Sequence, residues 1–339
     1  MSLMLAEASA AADAVAAQRQ ATEPRLASLA EELRARPPAV ALTIARGSSD
    51  HAANYFAYLV MMRLGIPVAS LPMSLFTLHA SPLRVEGQFA LTMSQSGRSP
   101  DLVATMQALA AAGARTAALV NQANSPLAAA CRWSIPLEAG AEQSVAATKS
   151  YIATLAASAT LVAHWLGDQS LIAAIHALPE QLRAACALDW SMAVERLVSA
   201  ERIMVVGRGL GLSIALEAAL KFKETCTIQA EAFSGAELRH GPMALIESGY
   251  PLLIFAPRGP EQAGMLELAA DMRRRGADVL LAAPDNVAER DLTVVTTDDP
   301  LLDPIAVIQT FYSMAAGLAA ARGLNPDAPR HLAKVTCTV

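Results

Sequence analysis

The feature that most constrains this chain is that it repeats itself. Around Gly47 the sequence reads AVALTIARGSSDHAANYFAYLVMMRLGIPV, and around Gly209 it reads AERIMVVGRGLGLSIALEAALKFKETCTI. Each stretch is an apolar, β-branched run, then a glycine turn, then a helix-patterned segment, and the two glycines are 162 residues apart. Farther on, FALTMSQSGRSPDLVATMQALAAAGARTAALV faces YPLLIFAPRGPEQAGMLELAADMRRRGADVLLAA. Here Gly97 and Gly259 are again 162 residues apart, and Gly113 and Gly276 are 163 apart. An offset held over such a length implies a duplicated unit. In each copy, short strand-like runs (Ala39–Ile44, Phe89–Met93, Thr116–Val120; then Ile203–Val206, Leu252–Phe255, Val279–Ala282) alternate with longer helical ones. That alternation predicts an α/β protein of two doubly wound parallel sheets with helices on both faces. Such sheets take ligands beyond the C-terminal ends of their strands, where both glycine turns fall.

The pattern divides the chain into an N-terminal helical segment (1–24), a first domain (25–166), a helical linker (167–200) interrupted by Pro179, a second domain (201–325) and a tail (326–339). With 339 residues, 54% hydrophobic and 17% charged, both domains are large enough to bury a core. The net charge of −5 leaves no basic footprint for nucleic acid. The arginines 273–275 read as the solvated C-terminus of a helix. Cys131, Cys186, Cys226 and Cys337 are far apart and form no C-x-x-C pair, so reduced thiols are expected and no metal site is. The N-terminus has no basic start and carries Glu7 and Asp13, so it predicts an amphipathic helix, not a signal peptide. Apolar runs such as Ala153–Trp165 are too short to span a bilayer. A soluble cytoplasmic protein with neither membrane nor nucleic-acid partner is the expectation.

The two copies differ in chemistry. The first carries Ser48 and Ser49 in one loop and Ser94, Gln95, Ser96 and Ser99 in the other; the second has Gly209, Leu210 and Gly211, then Ala256, Pro257 and Arg258. Hydroxyls at a helix N-terminus, beside unpaired amides and the positive end of the helix dipole, suit an anion. Simple N-capping would account for either loop alone. Two such loops in one half point to a phosphate held by neutral donors. No G-x-x-x-x-G-K-[ST] motif is present, and the glycines of GRGLG have the wrong spacing for a dinucleotide fingerprint, so no cofactor is expected.

The second copy carries ALKFKETC and, after it, ELRHGP, placing Lys221 and Glu224 one helical turn apart and His240 just before Gly241 and Pro242. An amine, a carboxylate and an imidazole are the groups that move protons beside a carbonyl. Glu217, Lys221 and Glu224 at i, i+4 and i+7 are equally compatible with a solvated salt-bridge stripe. Among six histidines, His240 is the first candidate and His51, behind Ser49, the second; His79, His164 and His176 sit in apolar or Ala-rich surroundings, and nothing local decides His331.

Taken together, GSS and SQSGRS in one half, ALKFKE and ELRHGP in the other, and the closing PRHLAKVTCTV resemble the tandem sugar-isomerase (SIS) family. The similarity is to the isomerase half of glucosamine-6-phosphate synthase without its glutaminase domain, and hence without amidotransferase activity. It implies two flavodoxin-like three-layer α/β/α domains. It further implies that Ser48, Ser49, Ser94, Gln95, Ser96 and Ser99 bind phosphate, and that Val145 and Ala146 line the substrate. Glu224 would move the C1/C2 proton, with Lys221 beside it. His240 would assist ring opening from a neighbouring subunit, making a homodimer the minimum unit, and Lys334 would meet the open-chain carbonyl beneath a docked apolar tail. Arg98 and Gln229 depart from the synthase pattern. The expected activity is a glucosamine-6-phosphate deaminase yielding fructose 6-phosphate and ammonia. The alternatives are an aldose–ketose hexose-phosphate isomerase, a sugar-amine deglycase, or a non-catalytic phosphosugar-binding regulator.

Overall fold

The structure, a computed structural model, describes residues 1–334; Cys337 and the apolar VTCTV end lie outside the described residues. The chain forms two compact units. One comprises Asp13–Glu142, Lys149–His176 and, among the described residues, Ala333 and Lys334; the other comprises Met1–Ala12, Gln143–Thr148 and Ala177–Leu332.

The N-terminal region forms helices α1 (Leu3–Ser9) and α2 (Ala11–Ala35), the latter running through Pro24. The first repeat then unfolds in order: β1 (Ala41–Ile44), α3 (Ser48–Leu64), β2 (Val68–Ser70), α4 (Ser74–Thr77), β3 (Phe89–Ser94), α5 (Pro100–Ala111), β4 (Arg115–Val120), α6 (Pro126–Ala130), β5 (Trp133–Pro136) and α7 (Lys149–Leu166). Its five strands are all parallel, in the order β2-β1-β3-β4-β5. The central strands β1 and β3 are buried at every position, because helices cover both faces. Helix α7 is buried almost all round, which suits its run of alanines and short aliphatics.

Helices α8 (Gln169–Cys186) and α9 (Ser191–Leu197) follow, and then the second repeat: β6 (Arg202–Gly207), α10 (Leu210–Cys226), β7 (Gln229–Ser234), β8 (Pro251–Phe255), α11 (Gln262–Arg274), β9 (Asp278–Pro284), β10 (Leu292–Val294) and α12 (Asp303–Ala321). The strands are again all parallel, in the order β10-β9-β8-β6-β7. Read from the other edge, this is the same order as the first sheet. The duplication reaches the backbone angles. Gly47 adopts φ 55°, ψ −134° before α3, and Gly209 adopts φ 57°, ψ −131° before α10. Both helices have 17 residues and keep the 162-residue offset at each end.

All six expected strands are present. The four unexpected ones, β2, β5, β7 and β10, are edge strands, short or half-exposed, so they lack the continuous apolar run of a central strand. Pro179 does not interrupt the helical stretch: α8 continues through it. A buried stripe at helical spacing (Leu171, Ala174, Ile175, Leu178, Leu182, Ala185) outweighs the single lost backbone hydrogen bond. Pro300–Ala321 is long and apolar enough to cross a membrane by composition, but 78% of its apolar 18-residue window is buried inside the fold. Asp303 shows why it is a core helix: its buried carboxylate accepts hydrogen bonds from Arg258 and from the amide and hydroxyl of Thr297.

Candidate active site

Strands β1 and β3 are neighbours in register, with Thr43 opposite Leu91, so the loops that leave their C-terminal ends open side by side. This is the point where strand order reverses, the usual ligand crevice of such a sheet. Ser48 and Ser49 open α3 after Gly47, whose positive φ favours glycine. Ser94 ends β3, and its buried hydroxyl accepts the Gly97 amide at 3.0 Å; Ser96 accepts the Arg98 amide at 3.3 Å. Ser99 is the N-cap of α5, with Pro100 at the first helical position, yet its side chain makes no cap hydrogen bond. The N-cap of α3 is Gly47, so neither helix is closed by a side-chain hydrogen bond from its N-cap residue. Among the described residues, Ser49, Gln95 and Ser99 have no side-chain hydrogen-bond partner. A pair invisible to motif reading ties the loops together: Arg46 bonds the buried Asp101 at 2.7 and 2.8 Å. Burial pushes the Asp50 carboxyl up, and the nearby His51 and Arg46 offset this only in part.

The second copy shows why the same geometry there offers less to an anion. Glu261, which stands 162 residues after Ser99, puts its carboxylate over the glycine turn, where a Cβ on residue 209 would collide with Oε1. A built-in negative charge therefore sits at the turn that opens α10. Arg258 is held by Asp303 in two hydrogen bonds of 2.8 Å, so its guanidinium is spoken for.

Helix α10 carries the ionisable cluster. Glu217, Lys221 and Glu224 share one face, but Glu217 and Lys221 are buried, at 0% and 1% exposure, which overturns the solvated-stripe alternative. The Lys221 ammonium lies 2.5 Å from Glu224 Oε2 and 3.4 Å from Glu217 Oε1, and Tyr312 donates to Glu217 at 3.0 Å. Burial disfavours the Lys221 ammonium, but the two carboxylates outweigh it and hold its pKa above the usual lysine range. Lys221 is therefore a fixed cation, not an amine nucleophile. Glu224 alone of the three keeps an open edge, 21% exposed, at a cleft of about 510 Å³ whose other walls include Lys223, Thr227, Arg330 and His331.

His240 ends a short 3-10 turn (Glu237–His240), and Gly241 at φ 152° leads into a second such turn from Pro242. It lines a different cleft of about 290 Å³, with Arg208, Arg239 and Glu267, so this chain does not place His240 in the cleft of Glu224. Val145 and Ala146 belong to the short Gln143–Thr148 segment in the unit of the second sheet. There the Glu7 carboxylate accepts the amides of Gln143 and Ser144, and the Val145 amide donates to the Asp327 carbonyl at 3.2 Å. Lys334 pairs at 3.1 Å with Glu142, a buried carboxylate that also accepts the amide and hydroxyl of Ser150. Sequence reasoning missed Glu142, Tyr312 and the Arg46–Asp101 pair, and it read Glu217, four residues before Lys221, only as part of a solvated stripe. His164 and His176 both meet the Glu23 carboxylate, at 3.1 and 3.0 Å. Cys131, Cys186 and Cys226 are free thiols, and burial raises Cys131 to about 12 and Cys226 to about 11.

Two parallel sheets of identical strand order, hydroxyl-lined loops at the switch point of one and a buried carboxylate–lysine helix on the other, define a duplicated α/β protein of the sugar-isomerase type. The chain belongs to the SIS domain family, whose model matches residues 40–164 and 196–292. It is 32% identical over 308 residues to the isomerizing glutamine–fructose-6-phosphate aminotransferase of Symbiobacterium thermophilum, covering 86% of this chain and 50% of that protein. The chain thus spans about half the length of the curated relatives it matches. Among solved structures, it is similar to a Silicibacter pomeroyi protein assigned as a phosphosugar isomerase, with TM-score 0.92 and 39% identity over 96% of this chain and 100% of that one. The fold is also that of glucosamine-6-phosphate deaminase from Thermotoga maritima, with TM-score 0.79 and 21% identity over 99% and 100% of the two chains.

Proposed function

We propose that this protein is a phosphosugar isomerase of the deaminating kind, converting glucosamine 6-phosphate and water into fructose 6-phosphate and ammonia. The observation that carries the proposal is Glu224: a carboxylate held on one side by a buried, permanently charged lysine and open on the other to a cleft. Such a group can take a proton from C2 of an open-chain aminosugar and return it to C1. The product is an imine at C2; water adds there and ammonia leaves, so nothing is oxidised or reduced. The Lys221 cation, 2.5 Å away, holds the Glu224 carboxylate in place at the cleft. Phosphate recognition is assigned to the serine loops, whose neutral donors and helix N-termini suit a dianion. Lys334, held by Glu142, is the amine assigned to the C1 carbonyl, and His240, from a second copy, is the imidazole that the resemblance assigns to ring opening.

A second assignment, aldose–ketose isomerisation without loss of nitrogen, is favoured by the 39% identity to a protein assigned as a phosphosugar isomerase. It uses the same groups. A coupled assay of ammonia release from 2-amino-2-deoxyhexose 6-phosphates, run beside ketose formation from the corresponding hexose 6-phosphates, separates the two. Ammonia without added glutamine supports deamination, and ketose alone supports isomerisation. Turnover of neither removes both.

A further inference from the structure

Resting on the phosphosugar assignment above, we propose that Arg46 is the cation of the phosphate cradle and that Asp101 is the buried positioning residue that orients it. Arg46 directly precedes Gly47, Ser48 and Ser49, and Asp101 lies two residues after Ser99, in the first turn of α5. The pair therefore sets the guanidinium between the two serine loops. Its Nε and Nη2 both donate to Asp101 Oδ2, at 2.8 and 2.7 Å, and Oδ1 accepts the Leu102 amide at 2.9 Å, which fixes the carboxylate. These bonds use one edge of the guanidinium. Nη1, on the other edge, has no partner among the described residues, and the Arg46 side chain is 55% exposed where that of Asp101 is 1% exposed. A planar fork with one edge anchored and the other open suits a phosphate. The side chain of Arg98, exposed on the second loop, has no such anchor among the described residues.

Charge explains why the cradle needs a cation. The first turn of α3 carries Asp50 and that of α5 carries Asp101. An aspartate there complements the helix dipole, but it also opposes the anion that the same N-terminus would attract. Arg46 offsets Asp101 by direct contact. The Asp50 carboxyl is pushed up by burial, with His51 and Arg46 opposing this in part, so Arg46 is felt at both helix ends. The second copy lacks the device. Its counterpart of Arg46, 162 residues on, is Arg208, but the counterpart of Asp101 is Ala263. Among the described residues the Arg208 side chain makes no hydrogen bond or ion pair, and the Glu261 carboxylate stands over the adjoining glycine turn. The arginine persists in both copies; the acid that orients it is kept only where the hydroxyls are.

The test measures binding of glucitol 6-phosphate, which has no carbonyl to turn over, by isothermal titration at several ionic strengths. Wild type is compared with Arg46→Gln, Arg46→Lys, Asp101→Asn and the double variant Arg46→Gln/Asp101→Asn. The double variant leaves no buried carboxylate unpaired, so it serves where Arg46→Gln alone fails to fold. Arg46→Gln and the double variant should bind roughly 10- to 100-fold more weakly. They should also lose part of the salt dependence, since one charge fewer faces the ligand. Arg46→Lys and Asp101→Asn should bind several-fold more weakly yet keep the salt dependence, because the charge remains and only its orientation is lost. A pair that merely braces the fold would lower Tm and leave the salt dependence of binding unchanged in every variant; that result overturns the proposal. So does wild-type affinity in the folded double variant. In either case, weaker binding by Ser94→Ala keeps the cradle assignment intact. If the wild type does not bind glucitol 6-phosphate, the cradle assignment falls and this proposal with it.

Discussion

Lys221 shows how much a single residue's meaning depends on burial. In the sequence it is one cation spaced for two helical ion pairs; in the structure it is a buried ammonium held between Glu217 and Glu224. Removing it by Lys221→Met takes away the ammonium that faces the fully buried Glu217 carboxylate, to which Tyr312 donates. The expected cost is about 3–5 kcal/mol of stability, read by urea unfolding, because an uncompensated buried charge is worse than no charge. Glu224→Gln is nearly isosteric and partly exposed, so it should fold normally and lose about 10²- to 10⁴-fold in kcat. Retention of full kcat would remove Glu224 as the base. A pH prediction follows from Asp168, whose carboxyl is held down to about 2, chiefly by the Ser170 hydroxyl, then by the Leu171 amide and Arg63. A depressed carboxyl stabilises the fold fully above its ordinary value near 3.8, and that contribution fades as the pH falls toward about 2. The stability gap between wild type and Asp168→Asn should therefore be constant above about pH 4 and close below it.

At the scale of elements, helices α3 and α10 are one design used twice, with 17 residues each after the same glycine turn. Their strands were legible because central strands of a parallel sheet are continuously apolar; the edge strands were not, because half-exposed strands mix polar residues freely. Helix α8 was legible as a helix, but its continuity through Pro179 was not: the buried stripe that overrides the proline is defined only by what packs on it. The difference between the two copies also yields a prediction. If Glu261 closes the second turn to anions, then Ser99→Glu, the equivalent change in the first copy, should abolish phosphosugar binding, whereas Ser99→Ala should weaken it only several-fold. Isothermal titration with a non-reactive sugar phosphate measures both, and equal effects would show that the carboxylate position is irrelevant. The tail offers a separate check on an element. Asp327 caps α1 by accepting the Leu3 and Met4 amides at 2.8 and 2.7 Å. Asp327→Ala should cost about 1 kcal/mol, as loss of an N-cap does, seen as a lowered Tm.

For the molecule as a whole, the family resemblance assigns His240 to a neighbouring subunit. If that assignment holds, mixing the inactive Glu224→Gln and His240→Gln proteins should restore part of the activity, because a mixed dimer contains one intact combination. What the sequence alone determined is what repeats locally or recurs at a fixed interval: two α/β units, their central strands, their glycine turns and the serine chemistry that distinguishes the first from the second. These are legible because backbone conformation and helix-terminus electrostatics are set within a few residues. Only the tertiary structure decided which charges are buried, that Glu142 takes Lys334, that Arg46 reaches Asp101, and that His331 shares a cleft with Glu224. Burial and pairing are properties of segments far apart in the chain, so no local pattern carries them.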